Sequence, residues 1–240
     1  MTDAFAHLDL SVPDPLLDLR RRLDSAGLER ALVVETWSGD NYQFLESLLS
    51  QACPHLRLAF CFRPGAESTI ADWLRHPSVA ALRVKTADLN QVKRWVAALE
   101  SAGKVLLVHA ESGIGALASP LRELAAEHPA LRVYLPHLAW PREGGRDDDA
   151  WGEALELLRG LPNVIAGISA LAYFSTAPYP HDDLRPLARR FLRTFPSSSV
   201  VLGSDYPLFD KERYADYVVL GRAWIESVYP DWSETDVLFS

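Results

Sequence analysis

Cysteine is nearly missing from this chain of 240 residues. The two present, Cys53 and Cys61, form no Cys-x-x-Cys pair, which argues against a disulfide framework and fits a reducing, cytoplasmic setting. Long apolar runs are missing as well. No stretch approaches the ~18 residues of a spanning helix, and the N-terminus MTDAFAHLDL lacks the basic-then-apolar order of an export signal. A protein that is neither membrane-bound nor exported is expected. Positive charge is in deficit, 24 Lys and Arg against 32 Asp and Glu, a net charge of −8, and no basic run resembles a nucleic-acid arm. Nucleic acid is therefore excluded as an expected partner. No repeat of 20 to 50 residues and no low-complexity linker divides the chain, so one domain spanning 1–240 is expected.

What the chain does contain is a recurrent pattern. Eight short apolar runs read as strands: Phe5 to Leu10, Ala31 to Val34, Leu56 to Phe62, Ala80 to Val84, Val105 to His109, Leu131 to His137, Val164 to Ile168 and Val200 to Gly203. Helical spacing fills the gaps. One helix is expected to open at Asp88 as N-cap, to repeat Leu89, Val92, Val96 and Leu99, and to stop at Gly103. Another runs from Asp183 to Thr194 with Leu184, Leu187, Ala188 and Phe191 on one face. The polar stretch Arg142 to Asp149 reads as a surface loop after the sixth strand. Strict alternation of strand and helix implies parallel strands joined by right-handed crossovers. Eight units in this length suit a compact (β/α)₈ TIM barrel with short loops, and an open doubly wound sheet is the runner-up.

In such a barrel the chemistry sits at the carboxyl ends of the strands, which gives weight to ionisable residues that close an apolar run. His109 and His137 close the fifth and sixth runs, and Asp205 follows Val200-Val201-Leu202-Gly203-Ser204. Period-two alternation places Phe5, His7 and Asp9 on one face of the first strand. Taken singly, a strand-end histidine is more often a hydrogen-bonded structural residue than a ligand. Together, three imidazoles and a carboxylate make the donor set of zinc or a similar divalent ion.

These residues also carry a resemblance. The run Val200 to Pro207, ending Gly-Ser-Asp-Tyr-Pro, resembles the last-strand signature of the amidohydrolase-related TIM-barrel family, where the Asp is an active-site residue. Leu131 to His137, with Trp140-Pro141 beyond, is similar to that family's sixth-strand histidine segment, and Val105 to Ala110 to its fifth-strand ligand segment. Pro162 to Ser169 and then Tyr179 to Phe195 resemble the branch of sugar lactonases and pyrone-dicarboxylate lactonase. The resemblance spans nearly the whole chain, strongest from Val105 to Pro207. Two departures stand out. Phe5 replaces the first imidazole of the family's His-x-His, which argues against a two-metal centre, and the chain ends at Ser240 where relatives continue, as a truncated member would.

The resemblance implies an amidohydrolase-like hydrolase acting on a small lactone, ester or amide. One divalent ion, zinc by expectation, would be held by His7, His109, His137 and Asp205, with Asp205 and His137 catalytic. Arg63, Arg83 and Lys85 would favour a carboxylate-bearing substrate, and Trp140, Tyr173 and Tyr206 would line its pocket. Ion pairing with Glu35 or Asp88 is the alternative for the cations. The expected partners are a small-molecule substrate and, at most, a second copy in a homodimer. Competing readings are a metal-independent lactonase, a decarboxylase of the same family, and a barrel that binds without catalysis.

Overall fold

The computed structural model describes residues 1–141, 149–208, 211–234 and 238. Eight parallel strands follow one another around a barrel: β1 (Thr2–Ala6), β2 (Arg30–Val34), β3 (Leu56–Cys61), β4 (Val79–Lys85), β5 (Val105–His109), β6 (Arg132–Leu135), β7 (Val164–Ile168) and β8 (Val200–Leu202). The (β/α)₈ TIM barrel expected from the alternation is what forms. Ten helices lie among the described residues: α1 (Pro15–Ser25), α2 (Tyr42–Leu48), α3 (Glu67–Arg75), α4 (Leu89–Val92), α5 (Val96–Ser101), α6 (Ala118–Glu127), α7 (Asp149–Leu158), α8 (Leu171–Phe174), α9 (Arg185–Leu192) and α10 (Tyr214–Glu226). None is long and apolar enough to cross a membrane.

Two elements differ from the sequence reading. The helix expected from Asp88 to Gly103 is interrupted by a 3-10 turn at Lys93–Trp95, and Asp88 makes no side-chain cap. The first strand lies earlier than its apolar run suggests. It pairs with β2 at Thr2, Asp3 and Ala6 with a bulge between, and ends before His7. Asp9 is thereby carried away from the barrel face and bonds Ser11 and Lys211 (Lys211 Nζ to Asp9 Oδ2, 2.6 Å). Residues 142–148, read as a polar loop, lie outside the described residues.

Inside the barrel, alternate residues of the strands meet: Leu32 and Val34, Ala59, Ala81, Val105 and Leu107, Tyr134, Ile165 and Val201. Gly167 leaves room for the Tyr134 ring, since a Cβ there would stand 2.6 Å from it. The outward faces of the strands pack against the helices, as with Leu19 and Leu23 of α1 and Phe191 and Leu192 of α9. Cys53 and Cys61 are both free, and burial pushes the Cys61 thiol up to about 12, so it is unreactive.

Closure between β8 and β1 uses no regular ladder. The Asp205 N–H donates to the Phe5 carbonyl (2.8 Å) and the His7 N–H to the Tyr206 carbonyl (2.6 Å). Below them the Asp3 carboxyl, 1% exposed, does the work of a strand edge. It accepts from the Ser204 N–H (2.8 Å), the Phe5 N–H (3.2 Å) and the Tyr214 hydroxyl (2.9 Å). Gly203 allows the close approach, because a Cβ at that position would lie 2.8 Å from Phe5 Cβ and 2.9 Å from its backbone nitrogen. Asp3→Ala strands three donors, two of them buried, and should cost about 3 kcal/mol, against about 1 kcal/mol for Tyr214→Phe. Gly203→Ala should cost roughly 1–3 kcal/mol by forcing the seam apart. Urea unfolding monitored by tryptophan fluorescence measures all three, and an Asp3→Ala loss below that of Tyr214→Phe would contradict the seam.

Candidate active site

A cavity of about 310 Å³ opens at the carboxyl ends of the strands, and the closing seam delivers two of its residues. His7 follows β1 and Asp205 follows β8, bringing His7 Nε2 to 3.8 Å from Asp205 Oδ1. His109 closes β5, His137 follows β6, and Arg83 reaches in from β4. Trp140 and Tyr173 form part of the wall. Seven of the residues singled out in the sequence therefore share one cavity.

Three others do not. The Arg63 guanidinium is held by the buried Glu35 carboxylate through both of its terminal nitrogens and rests on the Tyr42 ring. Lys85 places its ammonium over the Trp37 ring at 4.7 Å and does not line the cavity. Tyr206 points to the outer layer, where its hydroxyl donates to Asp18 and its ring packs against Tyr214. The ion-pair alternative holds for Arg63, and none of these three lines the cavity. Other cavity residues were not singled out as site residues. Thr36, Trp37, Ser38 and Asp40 follow β2, and Ser169, after β7, sets the His137 ring without lining the cavity. Their signal was position alone, polar and aromatic residues immediately past a strand.

Hydrogen bonds assign the imidazoles. His7 Nδ1 donates to the Val34 carbonyl (2.6 Å), leaving the Nε2 lone pair facing Asp205. His109 Nδ1 can only accept from Arg83 Nη2 (3.3 Å), so its proton is on Nε2. Ser169 Oγ accepts from the His137 N–H (3.0 Å) and lies 2.9 Å from its Nδ1. Burial, reinforced by the charge of Arg83, lowers His7 and His109 to about 3, and burial holds His137 well below its ordinary value. All three are neutral near pH 7. Burial raises Asp205 to about 8 against the pull of Arg83, and its Oδ1 has no hydrogen-bond partner among the described residues.

The backbone here is costly. His137, Leu138, Ala139 and Trp140 form a left-handed turn with φ of 57, 56, 55 and 58°, and Asp205 has φ 62°. Each such residue costs about 1–2 kcal/mol. The turn is held by the Trp151 indole donating to the Leu138 carbonyl (3.0 Å) and by the full burial of Leu138.

The donor set does not fit a divalent ion. Among the described residues no three His, Cys, Asp or Glu side chains converge as ligands. The only lone pair of His109 is committed to Arg83, and the Phe5 ring packs edge-on against both other imidazoles, 4.4 Å from His137 and 5.3 Å from His7, where the family's first imidazole would stand. A guanidinium that is 3% exposed in the same cavity would oppose a second cation by several kcal/mol.

Comparison with known proteins agrees with this fold. An amidohydrolase family model matches residues 4–227. L-fucono-1,5-lactonase of Burkholderia ambifaria is 31% identical over 153 residues, covering 60% of this chain and 51% of that one, so the chain spans about half the length of the curated relative it matches. A Pseudomonas putida structure assigned as a 2-pyrone-4,6-dicarboxylic acid hydrolase superposes with a TM-score of 0.72 at 20% identity, covering 93% of this chain and 89% of that one. A Burkholderia multivorans amidohydrolase with bound zinc gives 0.71 at 18%, covering 94% and 91%.

The folded value of Asp205 stands above its unfolded one, so its protonated form carries the stability. That contribution is complete below about pH 4 and lost as the pH rises through about 8. Asp205→Asn should match wild type in denaturation midpoint near pH 4 and exceed it by a few kcal/mol at pH 8. A variant no more stable than wild type at pH 8 would contradict an unpaired buried carboxyl.

Proposed function

This chain belongs to the amidohydrolase family, and from that membership and the geometry of its cavity we propose that it is a lactonase, opening a small hydroxylated lactone by attack of water. The observation that carries the reading is the buried Asp205 carboxyl at the cavity, its Oδ1 unpartnered among the described residues and the lone pair of a neutral imidazole 3.8 Å away. His7 and Asp205 both line the cavity, so a water held there lies beside the carboxyl and the imidazole. Ionised Asp205 takes a proton as the water oxygen forms a bond to the lactone carbonyl carbon. The tetrahedral intermediate then collapses, the ring C–O bond breaks, and the leaving oxygen regains that proton from Asp205. The product is the open hydroxy acid. His7 and His137, neutral and fixed by Val34 and Ser169, orient the water and the ring, and His109 offers its Nε2 proton as a neutral donor.

The walls support a hydroxylated ring over a dicarboxylate. Trp37, Trp140 and Tyr173 offer flat faces, while Ser38 and Asp40 supply polar groups at the mouth. Asp40 is held below the usual carboxylate range by its bonds from Thr36 and Ser38, so it is an anion that would repel a second carboxylate. The similarity to a fucono-lactonase favours the same substrate class. Zinc has no part in this reading, because Arg83 engages the lone pair of His109 and Phe5 stands in place of an imidazole.

A base must be ionised to act, so kcat on sugar δ-lactones, corrected for spontaneous hydrolysis, should climb close to tenfold per pH unit up to about 8 and level off above it. Asp205→Asn should lose 10²–10⁴ in kcat. Acid release followed with an indicator dye, with 2-pyrone-4,6-dicarboxylate as the contrasting substrate, measures both. A flat profile between pH 5 and 8, or preference for the dicarboxylate, would count against the reading.

A further inference from the structure

We propose that the Arg83 guanidinium is the fixed cation of this active site, doing by a protein side chain the electrostatic work of a divalent metal: it binds the substrate carbonyl oxygen and holds it as it becomes anionic. The proposal rests on the hydrolytic reading of the same cavity.

Arg83 is placed as such a group must be. It stands near the carboxyl end of β4, is 3% exposed, and lines the cavity. Its orientation is fixed from several sides. Nη1 donates to the Glu35 carbonyl at 2.6 Å and Nη2 to His109 Nδ1 at 3.3 Å, while the guanidinium carbon lies 4.3 Å from the centre of the Trp37 ring and 5.2 Å from that of Phe5. The aromatic faces favour a cation and exclude water. A planar group held this way needs no reorganisation when charge develops in front of it.

The cavity also holds two unsatisfied groups of opposite kind. Arg83 Nε has no acceptor, Asp205 Oδ1 has no donor, and no ion pair or hydrogen bond joins the two among the described residues. Both are buried, and leaving such groups unmatched is costly. Both residues line the cavity, so a substrate there can set its carbonyl oxygen against the guanidinium and the attacking water against the carboxyl group. A neutral ring bearing hydroxyls does so without adding net charge. Glu35 plays a supporting part, because its carboxylate holds Arg63 and the Cys61 N–H (2.7 Å) and fixes the backbone whose carbonyl anchors Arg83.

The test uses the full chain, purified, treated with chelator and assayed on sugar δ-lactones, beside Arg83→Met, Arg83→Lys and Arg83→Ala, each also titrated with zinc. Expected are a wild-type rate unchanged by chelation and no stoichiometric zinc binding. Arg83→Met should lose about 10²–10³ in kcat with little change in KM, the loss seen when one oxyanion donor is removed, and Arg83→Lys less. Low-millimolar guanidinium, far below a denaturing concentration, should restore part of the rate to Arg83→Ala, a response that a purely structural role would not give. Loss of wild-type activity on chelation with recovery on adding zinc would overturn the proposal, as would Arg83→Met retaining kcat within about threefold. If wild type opens no lactone, the hydrolytic reading fails and the zinc titration decides alone. Tight zinc binding by wild type then overturns the fixed cation, and zinc binding gained only when Arg83 is removed supports it. Should Arg83→Met fail to fold, the lysine variant and wild-type chelation carry the same decision.

Discussion

The seam between the first and last strands is the constraint on which the site depends. A barrel of eight parallel strands has to close on itself, and here, among the described residues, the closing pair shares two backbone hydrogen bonds, from Asp205 to Phe5 and from His7 to Tyr206. Those bonds are made by the residues that face one another in the cavity. The 3.8 Å between the His7 ring and the Asp205 carboxyl is thus set by backbone closure. Asp3 beneath them substitutes for the missing ladder, and the absence of a side chain at Gly203 permits the approach. One structural device holds the fold shut and places the proposed base.

Burial then determines the charge of the groups gathered in the cavity. Three imidazoles are neutral near pH 7 and one carboxyl ionises only near pH 8, because each is removed from water with few compensating partners. Arg83 is the exception, since a guanidinium keeps its proton even where burial lowers its value. Among the described residues, the persistent charge deep in the cavity is therefore positive. That single fact separates this donor set from a metal centre built of similar residues. A metal would need lone pairs left free, and here one imidazole gives its lone pair to the arginine.

Much of this was legible in the sequence. Period and composition located the strands because buried parallel strands read as unbroken apolar runs, and an ionisable residue closing such a run, as in Val105 to His109, is conspicuous. The first strand was less legible. Its edge residues Thr2 and Asp3 are polar, and Asp3 is there to bond the seam, a tertiary role with no local signature. Lys93–Trp95 broke a helix that its spacing predicted whole, since helical and 3-10 turns differ too little in pattern. Arg63, Lys85 and Tyr206 lie off the cavity lining for a common reason. Position near a strand end says that a side chain is close to the mouth, but Glu35, Trp37 and Asp18 decided where each came to rest. Arg83 was seen as a substrate-binding cation, whereas its bond to His109, which removes a presumed ligand, required coordinates.

The cost of the site is concentrated where its chemistry is. Four successive left-handed residues from His137 to Trp140, each opposed by about 1–2 kcal/mol, would not persist in isolation. They persist because Leu138 and Ala139 are buried, Trp151 caps the turn through its indole, and Trp140 packs against His109, Tyr173 and Phe174. The same turn aims His137 into the cavity and makes Trp140 its wall, so packing energy from the outer layer is converted into the orientation of two site residues. A regular helix start after β6 would relieve the backbone and turn both rings elsewhere. The left-handed turn, the positive φ of Asp205 and its unpaired oxygen therefore belong together. Each is a departure from the most stable local choice, and all three fall at the one cavity where the proposed chemistry takes place.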